Sequence, residues 1–270
     1  MKNLICCAAA LGVAASTYGQ APAPSGDLVL IGLRTPSLLD PDKSWIDLSF
    51  IGYGGADELL RTNAWIAYGL APGWQLDLRG SFAGNGSDKG APVESDGFRV
   101  PSGENVKFGG SDGELLANYK LPIDVPIVVR GGVAYVATPA QNDLLAGVVS
   151  ASIGYNLPYG ISAYLEPKAV FLRDNSLVGI AVGATYEVAK NIELMGEWTP
   201  LVAGSNTINL TTGNWSRVQL FGAGLRFRNV QPGLSIDLGV TNATGFTTGM
   251  SMTPSMGNVV GLFIGGEYRF

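Results

Sequence analysis

The chain has 270 residues, 38 of them glycine and none histidine, with 46% hydrophobic residues and a formal net charge of −5. Mean hydropathy is positive, +0.22, yet beyond the N-terminus there is no run of about 18 apolar residues, which argues against a helical membrane protein. The acidic balance, with no Lys/Arg cluster, excludes nucleic acid as a partner.

Residues 1–19 read as a secretory signal. Lys2 supplies the positive start, residues 4–15 the apolar core, and Thr17 and Gly19 the small residues at −3 and −1 of a cleavage site after Gly19. Cleavage after Ala21 is disfavoured by Pro22, and the apolar run is too short for a membrane anchor. Both cysteines, Cys6 and Cys7, lie in this signal, so the mature chain has no disulfide, catalytic thiolate or Cys-metal site. Residues 20–43 form an N-terminal leader. Its segment 21–25 is Pro/Ala-rich and extended. Its short apolar segment 27–34 has three open placements: an extra strand, a periplasmic segment, or a plug tucked into the lumen.

From residue 44 onward strand-like segments succeed each other to the end. They are residues 44–53, 61–70, 74–83, 111–121, 126–137, 143–157, 160–173, 177–189, 191–201, 215–228, 233–242 and 258–270. Most have the roughly 9–11 residues that a tilted strand needs to cross a bilayer. Twelve is even, as closure of an antiparallel bacterial barrel with both ends on one side requires. The connections 71–73, 122–125, 158–159, 190 and 229–232 are short and turn-rich; the alternate ones include the long 84–110, 202–214 and 243–257. Two, 138–142 and 174–176, are short yet fall on the long-loop side.

Alternation assigns the faces. Trp74, Leu76, Leu78, Gly80 and Phe82 oppose Gln75, Asp77, Arg79 and Ser81; Ile192, Leu194, Gly196 and Trp198 oppose Glu193, Met195, Glu197 and Thr199. In lipid the apolar face must point outward. Residues 215–228 are the misfit, because Arg217 and Gln219 share a face with Phe221, Ala223, Leu225 and Phe227. A bulge, or an upper end clear of the bilayer, would reconcile them. Tyr68, Trp74, Tyr119, Tyr155, Tyr186, Phe227 and Tyr268 sit near the short turns or the C-terminus on the lipid face, as an interfacial girdle does.

The last segment places Phe270, Tyr268, Gly266, Ile264, Leu262 and Val260 on one face. It resembles the final strand of bacterial outer-membrane β-barrels. That resemblance, extended in architecture over residues 44–270, implies an all-β, transmembrane antiparallel up-and-down β-barrel of about 12 strands in the outer membrane. It implies outer-membrane lipid as surroundings and the outer-membrane insertion machinery as a partner, reading the strand that ends in Phe270.

Several barrel families that resemble this one are enzymes, of the phospholipase, omptin and lipid A deacylase types, and they need His. Without imidazole the usual base for activating Ser or water is missing. Gly109-Gly110-Ser111-Asp112-Gly113 has the Gly-x-Ser-x-Gly spacing but reads as turn chemistry in a Gly-rich stretch, and no phosphate loop is present. No catalytic residue, cofactor or metal is expected. The charged residues of the inward register are Asp47, Asp77, Glu114, Glu166, Glu187, Glu193, Glu197, Asp237 and Glu267 against Arg79, Lys120, Arg130, Lys168, Arg226 and Arg269. Such a pore-lining wall is weakly acidic. Inward Gly and Ala leave space for a narrow water-filled path. Twelve-stranded channels that resemble this chain include nucleoside-type and acidic-sugar-type porins; the latter imply a basic track, which this wall lacks. The reading is a porin-like channel for small hydrophilic solutes or ions, mildly cation-preferring. The alternative is a non-conducting structural or adhesive barrel acting through its loops. Loop 84–110 is either a solvated surface loop or an inward-folded constriction.

Overall fold

A computed structural model of the protein describes residues 31–53, 59–83, 112–136, 144–171, 176–208, 215–255 and 258–270. The signal at 1–19, the first half of segment 27–34 and loop 84–110 lie outside the described residues, as do loop 138–142 and most of 174–176. No helix among the described residues is long and apolar enough to cross a membrane.

Twelve strands form the body: β1 (Ser44–Tyr53), β2 (Leu59–Ala71), β3 (Trp74–Ala83), β4 (Asp112–Lys120), β5 (Ile127–Val136), β6 (Leu144–Leu157), β7 (Ile161–Phe171), β8 (Leu177–Ala189), β9 (Ile192–Thr199), β10 (Leu220–Gln231), β11 (Leu234–Thr241) and β12 (Gly261–Arg269). Each pairs antiparallel with its sequence neighbours, and β12 returns to β1 in register from Trp45↔Arg269 to Gly52↔Leu262. The sheet is therefore a closed barrel. Closure reaches the last residue: Phe270 donates its N–H to Ser44 O at 3.1 Å and accepts from Ser44 N–H at 3.0 Å.

The alternation decides which side is buried. Outward positions of β3, such as Leu76 and Leu78, are exposed, while Gln75, Asp77, Arg79 and Ser81 are buried. The interior is thus polar and the exterior apolar, the inverse of a water-soluble sandwich and the arrangement lipid demands. The predicted girdle residues all point outward; Trp74 packs on Tyr119 at 4.5 Å between ring centroids, and Tyr268 stacks on Phe270 at 5.8 Å.

One rim carries short connections. Gly73 and Gly233, at φ +78° and +80°, turn β2 into β3 and β10 into β11; Asn191 at +64° turns β8 into β9. Asn and Gly tolerate this left-handed region, which other side chains resist.

Several expected boundaries move, and the last strand, expected from residue 258, starts at Gly261. The expected turn at 229–232 is displaced, because β10 runs on to Gln231. Asn229, at φ +50°, makes an irregularity inside the strand instead of ending it. The expected strand 215–228 starts only at Leu220. Trp215–Ser216 instead pairs with Thr207–Ile208 in a separate two-stranded ribbon. Arg217 and Gln219 therefore lie beyond the barrel strand, which removes their clash with its apolar face; Gln219 accepts the Trp198 indole N–H at 3.0 Å.

Leu78, midway along β3 and 55% exposed, tests the lipid face. Leu78→Arg is expected to destabilise the barrel by about 2–4 kcal/mol if it sits near the bilayer midplane. Denaturant-dependent folding into lipid vesicles measures this; an unchanged midpoint would contradict the assigned face.

Candidate functional site in the barrel lumen

Among the described residues, two segments occupy the interior. The first is residues 31–43, here called the strap. Ile31 begins it against β10, where a Cβ on Gly222 would lie 2.8 Å from Ile31 Cδ1. Three successive main-chain N–H groups converge on one carboxylate of β9: Ile31, Gly32 and Leu33 donate to Glu197 at 3.3, 2.9 and 2.8 Å. Lys168 of β7 donates to Gly32 O at 3.2 Å. Arg34 is 1% exposed and donates from Nε to Glu166 at 2.6 Å and from a terminal nitrogen to Ser150 at 2.7 Å; its main-chain N–H reaches the same carboxylate at 2.9 Å. Arg130 of β5 donates to Thr35 O at 2.6 Å and also to Ser152. Pro36 packs on β6, where a Cβ on Gly154 would be 2.6 Å from Pro36 Cγ. Leu39 donates to Gln75 at 2.8 Å and packs against Trp45, Trp65 and Ala67. Asp42 N–H meets Gly69 O at 2.9 Å at the short-turn rim, where the chain enters β1.

The second segment is residues 242–255 of the connection between β11 and β12, which fold inward from the opposite rim. It is internally ordered by Thr244 N–H to Thr253 O at 2.8 Å and by the 3-10 turn Met250–Met252. Its main chain is held by wall side chains: Thr248 N–H donates to Glu114 at 3.0 Å, Arg79 donates to Phe246 O, and Tyr53 donates to Ala243 O. Thr247 donates to Asp112 at 2.7 Å. Met252 is fully buried in an apolar cluster with Leu116, Ala134, Val148, Val170 and Leu177. Strap and loop meet at Lys168, which also donates to Ser251 at 2.8 Å.

Of the fifteen charged residues assigned inward from alternation, Asp47, Asp77, Arg79, Glu114, Arg130, Glu166, Lys168, Glu193, Arg226, Asp237 and Glu267 point inward and are buried. Glu197 and Arg269 are half-buried, and Lys120 and Glu187 stand exposed near the short-turn rim. The described charges are packed rather than bathed. Arg79–Glu114 is an ion pair at 2.8 Å, Arg226–Asp237 at 2.6 Å and Arg228–Glu193 at 2.6 Å. Arg79 also lies 4.2 Å above the Trp65 ring, a cation–π contact.

Alternation missed four interior charges. Arg61, Asp112 and Arg228 share the inward register of β2, β4 and β10, so carrying the pattern to the strand ends would have found them. Arg34 lies in the strap, where no periodicity exists to reveal it. Adding Asp112 to the nine acids, and Arg34, Arg61 and Arg228 to the six bases, leaves an excess of one acid.

A space remains on the arc from β11 through β12 and β1 to β3. The cavity is about 20 Å³, close to one water molecule. Asp47, Ser49, Asn63, Arg79 and Asp237 line it, with Ile31 and Phe246 closing the inner side. Ser49 Oγ and Asn63 Nδ2 are buried there without a hydrogen-bond partner.

Closed strands, an apolar exterior and a charged interior define a transmembrane antiparallel β-barrel. The sequence matches no protein-family model, and no curated protein resembles it in sequence. Solved structures resemble it in fold. The NanC porin aligns with a TM-score of 0.55 at 10% identity, over 83% of this chain and all of its own. The KdgM porin aligns at 0.51 and 13%, over 84% of this chain and 99% of its own. An outer-membrane channel from Pseudomonas putida F1 aligns at 0.51 and 12%, over 93% of this chain and all of its own.

The Arg226–Asp237 pair joins facing positions of β10 and β11. Asp237→Ala would remove the carboxylate that a buried guanidinium engages through two nitrogens, so a loss of about 3–5 kcal/mol is expected in denaturant unfolding. The double variant Arg226→Met/Asp237→Leu is expected to recover most of it; a neutral single variant would show that the pair is hydrated.

Proposed function

We propose that the protein is a porin-like channel of a bacterial outer membrane, passing small hydrophilic solutes or ions by passive diffusion with a mild preference for cations. The carrying observation is the closed barrel with polar inner and apolar outer residues. The fold likeness to two porins and a channel supports the same reading. Outer-membrane lipid then surrounds the exposed apolar face, residues 1–19 direct export, and the strand ending in Phe270 is what the insertion machinery reads.

The cation preference rests on the residual arc. Asp47 and Asp237 flank the cavity, and Glu267 faces Asp47 across the β1–β12 pair. Arg34, Arg79, Arg226 and Arg228 are matched by carboxylates, Asp237 of the arc among them. One KdgM porin structure is a complex with disordered oligogalacturonate. A wall on which these four arginines are held by carboxylates argues against an acidic sugar as the solute here.

A second reading is a non-conducting barrel whose work is done by its surface loops. The observation that favours it is the filling of the interior by strap, loop and buried ion pairs.

Planar-bilayer recording of refolded residues 20–270 separates the two. The channel reading expects discrete current steps and, across a KCl gradient, a reversal potential of cationic sign, reduced in Asp47→Asn. An anionic sign would contradict the acid-lined arc, and a folded barrel giving no steps would establish the second reading.

A further inference from the structure

We infer that the inner wall between β5 and β9 is a binding site for an extended, arginine-bearing peptide segment, and that residues 31–36 are its tethered, exchangeable occupant. The wall grips the strap as a receptor grips a peptide. Glu197 takes three successive N–H groups, Lys168 and Arg130 take the carbonyls of Gly32 and Thr35, and Glu166 with Ser150 takes the Arg34 side chain. The pattern has sequence preference. A Cβ at position 32 would sit 3.1 Å from both Glu197 Oε1 and Ser251 Cβ, so glycine is favoured there. Position 34 needs a guanidinium, whose several donors engage a carboxylate and a hydroxyl together.

Exchange is physically reasonable because barrel closure runs through β1 and β12 and ends at the Ser44–Phe270 pair, outside the strap. The strap joins the wall through exposed residues 40–43 at the rim. Its departure would leave Glu166, Lys168, Glu197 and Arg130 facing a lumen that water can enter, so these charges would be hydrated rather than stranded. The same departure would widen the path. That last consequence rests on the channel reading; the peptide site does not.

The experiment uses the full mature chain with a protease site placed within residues 37–41, cut after folding. A dye-labelled nonapeptide of residues 31–39 is then titrated by fluorescence polarisation, and bilayer current is recorded on the same material. Saturable binding is expected, with loss of roughly tenfold or more in affinity for the Arg34→Ala peptide or for the Glu197→Gln barrel, each removing a hydrogen bond to a charged group. Current is expected to rise after cutting and washing and to fall when the peptide returns. No binding, or equal binding of a scrambled peptide, overturns the site. Specific binding with no current in any state upholds the site and sinks the channel reading. Current that ignores a bound peptide overturns the strap's control of the path.

Discussion

Hydrocarbon offers no hydrogen bonds, and that single fact governs this molecule. Every N–H and C=O that crosses the bilayer must find a partner within the sheet, so the sheet has to close. Here the seam is β1 against β12, and the ladder continues to the terminal pair of Ser44 and Phe270. Once closed, the sheet has an outer face that must be apolar and an inner face with no such obligation. The period-2 pattern of the sequence is the imprint of that division. Tyr and Trp near the short turns mark where hydrocarbon gives way to water.

The inner face solves a different problem. Charged groups removed from bulk water are costly unless paired or hydrogen-bonded. Part of the wall pairs with itself, as Arg226 does with Asp237 across adjacent strands. The rest pairs with two segments that are not strands. Glu197 and Glu114 accept main-chain N–H groups from the strap and the loop, and Lys168 and Arg130 donate to carbonyls of the strap. Irregular backbone at membrane depth is tolerated when it is enclosed by protein, and here the wall's own charges enclose it.

The strands were largely legible because alternation is a local signal: β1, β3 and β8 start and stop where the pattern does. The β10 boundary was not, because Trp215 to Gln219 is as strand-like as the barrel strand from Leu220 onward; only the shared face of Arg217 and Phe221 hinted at a break. Asn229 read as a turn, yet its left-handed conformation is absorbed within the strand. The interior segments could not be read by period at all. Arg34 finds Glu166 across 132 positions, a contact that leaves no trace in spacing. The inward-folding loop was sought in 84–110, the longest connection, which lies outside the described residues. Residues 243–255 do fold inward, and their signal was composition. They hold no charged residue, whereas a loop in water ordinarily carries several.

Lys168 joins two segments that enter the barrel from opposite ends. Its ammonium donates to Gly32 of the strap and to Ser251 of the loop, using two of its three protons. The strap is rooted at the rim of short turns and the loop at the other. One side chain near the middle of the wall is therefore a mechanical coupling between the two sides of the membrane. Tension on the loop, applied where it leaves β11 and β12, is delivered to the strap through this ammonium and through the packing of Ser251 on Gly32.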